Sequence, residues 1–136
     1  MPTKPEALQQ VPLFSQLNQR QLKRLAAKFK EGRFPPGTTV VRQGKMSGVG
    51  FFVVVAGEAA VSVDGKEVAR LGAGDYFGEL ALIAERERTA TVTAETALDC
   101  LEIPIWEFRD FVKNDPDVSW KLLRHVVGML LDARNS

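Results

Sequence analysis

Short strands at close, regular intervals constrain the fold of this chain more than any other feature of its sequence. The clearest signal is Asp64-Gly65, a two-residue turn between alternating segments that requires positive φ. Runs of apolar and β-branched residues between glycine-containing turns predict strands over residues 38–42, 51–55, 59–63, 67–71, 89–93 and 97–103. Such spacing is typical of a β-barrel or jelly roll.

A helical pattern precedes these strands. Asn18 and Gln21 match a capping box, which predicts a helix that starts near Gln19 and that Gly32 ends. A shorter helical piece is predicted before it, over residues 5–10.

Helical patterns also follow the strands. The sequence predicts one helix over residues 105–113 and a longer one over residues 118–134, with Asp115 as N-cap and Pro116 as first helical residue. The predicted fold is therefore mainly β with flanking helices, in a single domain of 136 residues. Its predicted parts are an N-terminal helical segment (1–33), a β-barrel or jelly roll (34–104) and C-terminal helices (105–136).

Charge and hydropathy argue against several classes of partner. The 18 Lys and Arg nearly cancel the 17 Asp and Glu, and the net charge of +1 predicts no general attraction to nucleic acid or acidic membranes. The longest apolar runs, such as residues 51–56, are too short to cross a bilayer, and the polar N-terminus does not resemble a signal peptide. We therefore expect a cytoplasmic protein with no membrane or nucleic-acid partner in this chain.

Catalysis and metal binding are disfavoured by the residue inventory. Cys100 is the only cysteine, and its apolar segment predicts that it is buried as a small hydrophobe. His125 is the only histidine, so one chain cannot assemble a Cys/His or two-His metal cluster. No paired acid and base or activated nucleophile is visible, which predicts a protein that is not an enzyme and has no cofactor.

The stretch from Tyr76 to Val92, YFGELALIAERERTATV, is the candidate site. Gly78 permits close approach to the backbone, and residues 79–83 can form a helical turn whose free N–H groups point toward that glycine. Arg88 returns ten residues later with a planar fork of donors, so the pattern fits a phosphate. The alternative, on spacing alone, is a solvated Glu/Arg loop between a buried turn and a strand.

FGELALI followed by RTATV resembles the phosphate-binding cassette of the cyclic nucleotide-binding domain family, which occurs in kinase regulatory subunits, gated channels and catabolite-activator-like proteins. The resemblance is free of gaps over residues 77–92. It continues through VVRQG (40–44), FFVVVAGEAAV (51–61) and ARLGAGDYFGELAL (69–82), which are similar to successive barrel strands of that family. The loop at residues 45–50 departs from it, because the family often places acidic residues there.

The resemblance implies a role for each cassette residue. Gly78, Leu80 and Ala81 would offer backbone donors to a cyclic phosphate. Glu79 would accept a hydrogen bond from the ribose 2′-OH, and Arg88 would pair with a phosphate oxygen. The full implied ligand-binding set is Phe77, Gly78, Glu79, Leu80, Ala81, Arg88, Thr89 and Ala90. Thr89 is the variable position that bears on cAMP against cGMP, and cAMP is the favoured ligand.

The last predicted helix has a wider apolar face than a single contact needs. The surplus has three uses: covering a bound base, pairing with a second chain as a homodimer, or contacting another segment. The resemblance favours the first two, with Met129 and Leu130 as candidate lid residues, and plain core packing of this pair is the alternative. Trp120 is predicted to be a packing anchor.

These observations predict a sensor that changes conformation when it binds a cyclic nucleotide. One rival is the sensory N-terminal part of a catabolite-activator-like transcription regulator, whose DNA-binding domain is not in this chain. The other is a scaffold that uses the fold for dimerisation with an empty pocket. The downstream effector is left open by the sequence.

Overall fold

The computed structural model describes residues 3–44, 50–78 and 90–135, and its helices lie at both ends of the chain. They are α1 (Lys4–Gln9), α2 (Gln19–Ala26), α3 (Ile105–Lys113) and α4 (Pro116–Asn135), with a 3₁₀ turn at Pro12–Phe14 between the first two. The strands are β1 (Lys30–Phe34), β2 (Thr39–Val41), β3 (Gly50–Ala56), β4 (Ala59–Val63), β5 (Lys66–Leu71), β6 (Tyr76–Phe77), β7 (Thr91–Ala94) and β8 (Leu98–Pro104).

The described strands form two antiparallel four-stranded sheets. One has the order β1-β8-β3-β6 and the other the order β2-β7-β4-β5. Consecutive strands often lie in different sheets, as expected of a jelly roll. The predicted fold class, mainly β with flanking helices, is confirmed.

Two apolar cores lie on opposite faces of the first sheet. The barrel core, between the sheets, contains Phe52, Val54, Ala59, Phe77, Val92, Ala94, Leu98 and Cys100. The helix-side core contains Leu8, Val11, Phe14, Leu17, Leu22, Leu25, Ala26, Phe29, Phe51, Val53, Leu101, Ile103, Phe108, Phe111, Val118 and Leu122. The first sheet therefore separates the helices from the interior of the barrel.

Strand β3 belongs to both cores, because alternate side chains of a strand point to opposite faces. Phe52 and Val54 face the barrel core, whereas Phe51 and Val53 face the helices. The Phe51 ring meets Phe14 edge-on, with 5.6 Å between ring centroids. At the start of the strand, Gly50 passes so close to β8 that a side-chain carbon there would overlap the Ile103 carbonyl oxygen.

Three local predictions are confirmed by hydrogen bonds and dihedral angles. The Asn18 side chain accepts from the Gln21 backbone and Gln21 from the Asn18 backbone, so the capping box is complete. Asp64 and Gly65 have φ values of +53° and +82°, as their two-residue turn requires. An Asp115 side-chain oxygen accepts from the Asp117 N–H at 3.1 Å, which caps the start of α4.

The end of the second helix was predicted wrongly. Helix α2 ends at Ala26, and Gly32 lies inside strand β1, opposite Cys100 of β8. The barrel therefore begins with β1 at Lys30, within the segment predicted to be helical. The sequence KEGRF carries three charges and a glycine, so its strand conformation is set by pairing with β8 rather than by its own pattern.

Helix α4 is buried only near its start. Val118 and Leu122 belong to the helix-side core, whereas Leu123, Val127, Met129, Leu130 and Leu131 are exposed. The predicted role of Trp120 as a packing anchor is wrong within this chain, because the side chain is 58% exposed.

Candidate functional site

The described part of the candidate site consists of its two ends. Phe77 and Gly78 lead into the cassette, and Ala90 leads out of it into β7. The other predicted ligand-binding residues lie outside the described residues, and they are Glu79, Leu80, Ala81, Arg88 and Thr89. Their roles stay predictions.

The entry to the site is fixed by two aromatic rings. Phe77 pairs with Phe52 across β6 and β3, and the rings stack in parallel, 4.8 Å between centroids and 8° between planes. Only 7% of Phe77 is exposed, so in this structure it anchors the chain in the barrel core. Direct contact between its ring and a ligand, as the sequence predicts, stays a prediction.

Gly78 follows this anchor with a φ of +87°. Residues with a Cβ rarely adopt that conformation, so a glycine is needed for the chain to turn here. Because Gly78 has no side chain, nothing on this residue would block the predicted approach of a ligand to its backbone.

The exit from the site is fixed by β7. Ala90 is a bend, half-buried, and Val92 two residues later belongs to the barrel core, as Phe77 does. The described residues on both sides of the cassette, Phe77 before it and Val92 after it, therefore belong to the same core.

One residue at the exit was missed by the sequence reasoning. The Gln43 backbone N–H donates to Thr91 Oγ1 at 2.9 Å, and its side chain contacts the Asp64 turn. The only sequence signal is a long amide side chain just before Gly44, at the end of strand β2.

The buried thiol of Cys100 is not activated as a nucleophile. Burial raises the pKa of the Cys100 thiol to about 12, helped by the nearby carboxylates of Asp99 and Glu102, so the thiolate form is disfavoured at neutral pH. Within residues 3–44, 50–78 and 90–135, no three His, Cys, Asp or Glu side chains are grouped to hold a metal ion. No helix in these ranges is long and apolar enough to span a membrane.

The predicted lid residues are uncovered. Met129 and Leu130 are 58% and 61% exposed, and neither belongs to the two cores. The alternative that both pack in the core of this chain is therefore excluded, and a role over the ligand stays a prediction.

Comparison with known proteins gives consistent matches. The family model for the cyclic nucleotide-binding domain matches residues 31–115. The cAMP-dependent protein kinase regulatory subunit of Schizosaccharomyces pombe is 37% identical over 123 residues, which are 90% of this chain and 30% of that protein. The chain spans less than a third of the length of the curated relatives it matches.

Solved structures match over most of the chain. The N-terminal domain of a transcriptional regulator from Streptomyces coelicolor superposes with a TM-score of 0.87 at 30% identity, covering 96% of both chains. The regulatory domain of Toxoplasma gondii PKA, crystallised with cAMP, has a TM-score of 0.72 at 30% identity over 80% of this chain and 44% of that one.

Proposed function

This chain belongs to the cyclic nucleotide-binding domain family, and on that premise we propose that it is a non-catalytic sensor of a 3′,5′-cyclic nucleotide, with cAMP preferred to cGMP. The observation that carries the proposal is the geometry at both ends of the cassette. Phe77 and Val92 both belong to the barrel core, Gly78 has a positive φ, and the sequence from one end to the other is FGELALIAERERTATV. The structure crystallised with cAMP supports this choice of ligand.

In this proposal the cassette supplies the polar contacts and the barrel supplies the apolar wall. Backbone N–H groups at Gly78, Leu80 and Ala81 bind the cyclic phosphate, and Arg88 neutralises its charge. Glu79 accepts from the ribose 2′-OH. We propose that the base is contacted by Thr89 and by the exposed side chains in the C-terminal half of α4.

The signal is a shift in population between two conformations. A ligand shifts such an equilibrium only by its differential affinity for the two states. The exposed apolar side chains of α4 supply a surface whose burial can differ between the states, because Met129 and Leu130 are uncovered in this one. We propose that they cover the base when ligand is bound. The same surface is our candidate for pairing with a second copy, and a cytoplasmic location stays a prediction.

The test of the phosphate assignment is Arg88→Ala, with Arg86→Ala as the matched control from the same segment. Truncating one partner of a buried, hydrogen-bonded charge pair costs about 2–5 kcal/mol, which is roughly 30-fold to several thousandfold in affinity. We expect isothermal titration to show that loss for cAMP with Arg88→Ala and a near wild-type Kd with Arg86→Ala. Equal Kd values for wild type and Arg88→Ala would refute the assignment.

The ribose assignment has a separate test. Wild type should bind cAMP more tightly than 2′-deoxy-cAMP, and Glu79→Ala should lose that preference, while Glu85→Ala should keep it. A preference that survives in Glu79→Ala would remove Glu79 from the ribose contact. Direct comparison of cAMP and cGMP in the same titration decides the preferred base.

A second candidate concerns the larger protein to which such a domain belongs. The match over 96% of a regulator's N-terminal domain favours a sensory part of a transcription regulator, whereas the kinase regulatory subunit favours control of a kinase. Reading the gene on both sides of this segment distinguishes them, because a regulator of the first kind carries a helix-turn-helix domain. The scaffold with an empty pocket predicts no binding of either nucleotide.

A further inference from the structure

Gln43 joins three segments of the chain at the exit of the nucleotide site. Its backbone N–H donates to Thr91 Oγ1 at 2.9 Å, at the first residue of β7. Its side-chain Nε2 donates to Asp64 Oδ1 at 3.0 Å, and its Oε1 accepts from the Asp64 backbone N–H at 2.8 Å. We call these three residues, Gln43, Asp64 and Thr91, the Gln43 latch.

The side-chain part of the latch matches an amide and no other group of its size. A primary amide has a donor and an acceptor on one plane, and Asp64 presents one of each in return. Asp64 lies in the tight β4–β5 turn with a φ of +53°, so the turn holds the direction of its backbone N–H. The latch therefore ties the end of β2 to the tip of a hairpin.

The backbone part of the latch acts on the site. Thr91 follows Arg88 by only three residues, and Ala90 between them is a predicted ligand-binding residue. The start of β7 is paired with β4, where Ser62 lies opposite Thr91, and the hydrogen bond from Gln43 adds a second attachment at this point. A binding group performs best when a supporting contact holds its chain in place.

We propose that Gln43 is a positioning residue for the cyclic nucleotide: through Asp64 and Thr91 it holds the start of β7, and so sets how well the preceding arginine meets the phosphate. This inference rests on the proposed function. It adds a residue that lies outside the cassette and acts without direct contact with the ligand.

The first measurement is the Kd for cAMP of Gln43→Ala and Gln43→Glu. Either change removes the donor to Asp64, and the glutamate also faces the Asp64 carboxylate. Gln43→Ala removes both exposed side-chain hydrogen bonds, whereas Gln43→Glu removes one and adds a like charge, and we expect each to raise the Kd for cAMP roughly three- to tenfold. Gln16→Ala, at an exposed glutamine of the N-terminal segment, is the matched control. We expect its Kd to be unchanged.

A charge-swapped pair provides the rescue. In Gln43→Glu with Asp64→Asn, the glutamate accepts from the residue-64 backbone and from the new asparagine amide. We expect this double variant to recover the wild-type Kd to within about twofold. Failure to recover, with a normal thermal unfolding midpoint, would overturn the assigned hydrogen-bond geometry.

A double-mutant cycle separates positioning from a general effect on folding. If Gln43 acts through Arg88, then Gln43→Ala should raise the Kd for cAMP much less in an Arg88→Lys background, where the planar fork is gone, than in wild type. An equal factor in both backgrounds, or a lower unfolding midpoint with unchanged Kd, would show a structural role and overturn the proposal. Absence of cAMP and cGMP binding by wild type would instead overturn the proposed function, and this role with it.

Discussion

The two halves of helix α4 have similar apolar content and opposite surroundings. In the first half, Val118 and Leu122 are buried among the helices, although Trp120 and Leu123 are exposed. In the second half, Val127, Leu130 and Leu131 are about half exposed or more, although the sequence is at least as apolar there. Burial along this helix is therefore decided by what lies opposite each turn, and hydrophobicity alone does not show which turns belong to the fold.

The first half of α4 also makes polar contacts with α2. Gln21 of α2, itself buried, donates to Asp117 Oδ2 at 2.7 Å and accepts from Lys121 Nζ at 2.9 Å. Arg24 of α2 pairs with Asp115, at the N-cap of α4. The first two turns of α4 are thus attached to α2 by both apolar and charged groups, whereas the later turns expose their apolar side chains.

The largest expected effect comes from a matched pair of leucines. Leu122→Ala should lower the free energy of unfolding by about 2–4 kcal/mol, because it removes buried methyl groups and leaves a cavity. Leu130→Ala should change it by less than about 0.5 kcal/mol, since the side chain is exposed. Urea unfolding followed by circular dichroism measures both. Equal losses would mean that both halves of α4 are equally buried in the protein without ligand.

A smaller effect is expected on binding from the outer half. Met129→Ser combined with Leu130→Ser should leave the unfolding midpoint unchanged and raise the Kd for cAMP about three- to tenfold if these side chains cover the base. The comparison variant is Leu123→Ser, at an exposed leucine that follows the buried Leu122. An unchanged Kd in the double variant would mean that these side chains do not cover the base. Pairing of this face with a second chain would then be the remaining role, and analytical ultracentrifugation of wild type and variant would detect a dimer.

The smallest expected effect is a loss of stability in acid. Hydrogen bonds from Gln21 and Lys121 hold the pKa of Asp117 below its ordinary value of 3.8. A carboxyl whose pKa is lowered in the folded state stabilises that state at neutral pH, and the contribution is lost as the pH falls through the folded pKa. The thermal unfolding midpoint should therefore fall as the pH drops below the ordinary carboxyl pKa of 3.8.

Asp117→Asn should make the fall of the midpoint in acid smaller, and Lys121→Met should make it smaller in part. The remaining fall comes from Glu6, Asp99 and Asp115, whose pKa values are also lowered by hydrogen bonds. A profile identical to wild type in Asp117→Asn would show that this carboxylate does not fasten the inner half of α4.

Prediction from sequence succeeded where the cause is local. The Asp64-Gly65 turn, the Asn18 capping box and the Asp115 cap each depend on residues within three positions of one another. Most strands were also found, because alternation against a buried face is a property of the segment itself.

Prediction failed where the cause is a distant partner. β1 is a strand because β8 lies beside it, and the sequence of β1 does not show that neighbour. Trp120 is exposed although its size and apolarity suggest burial. The Gln43 latch joins residues 21 and 48 positions apart, and no spacing rule connects them. For the site itself, the cassette was found by resemblance, and residues 79–89 lie outside the described residues.

The position of β3 between two cores limits which substitutions this strand can accept. Its side chains alternate between the barrel and the helices, so a polar replacement on either side removes packing from one core, and Gly50 accepts no side chain at all. Strand β5 has five exposed residues and carries no such restriction. In a saturation library selected for folded protein, residues 50–54 should retain apolar or glycine codons, while residues 66–70 should diversify freely.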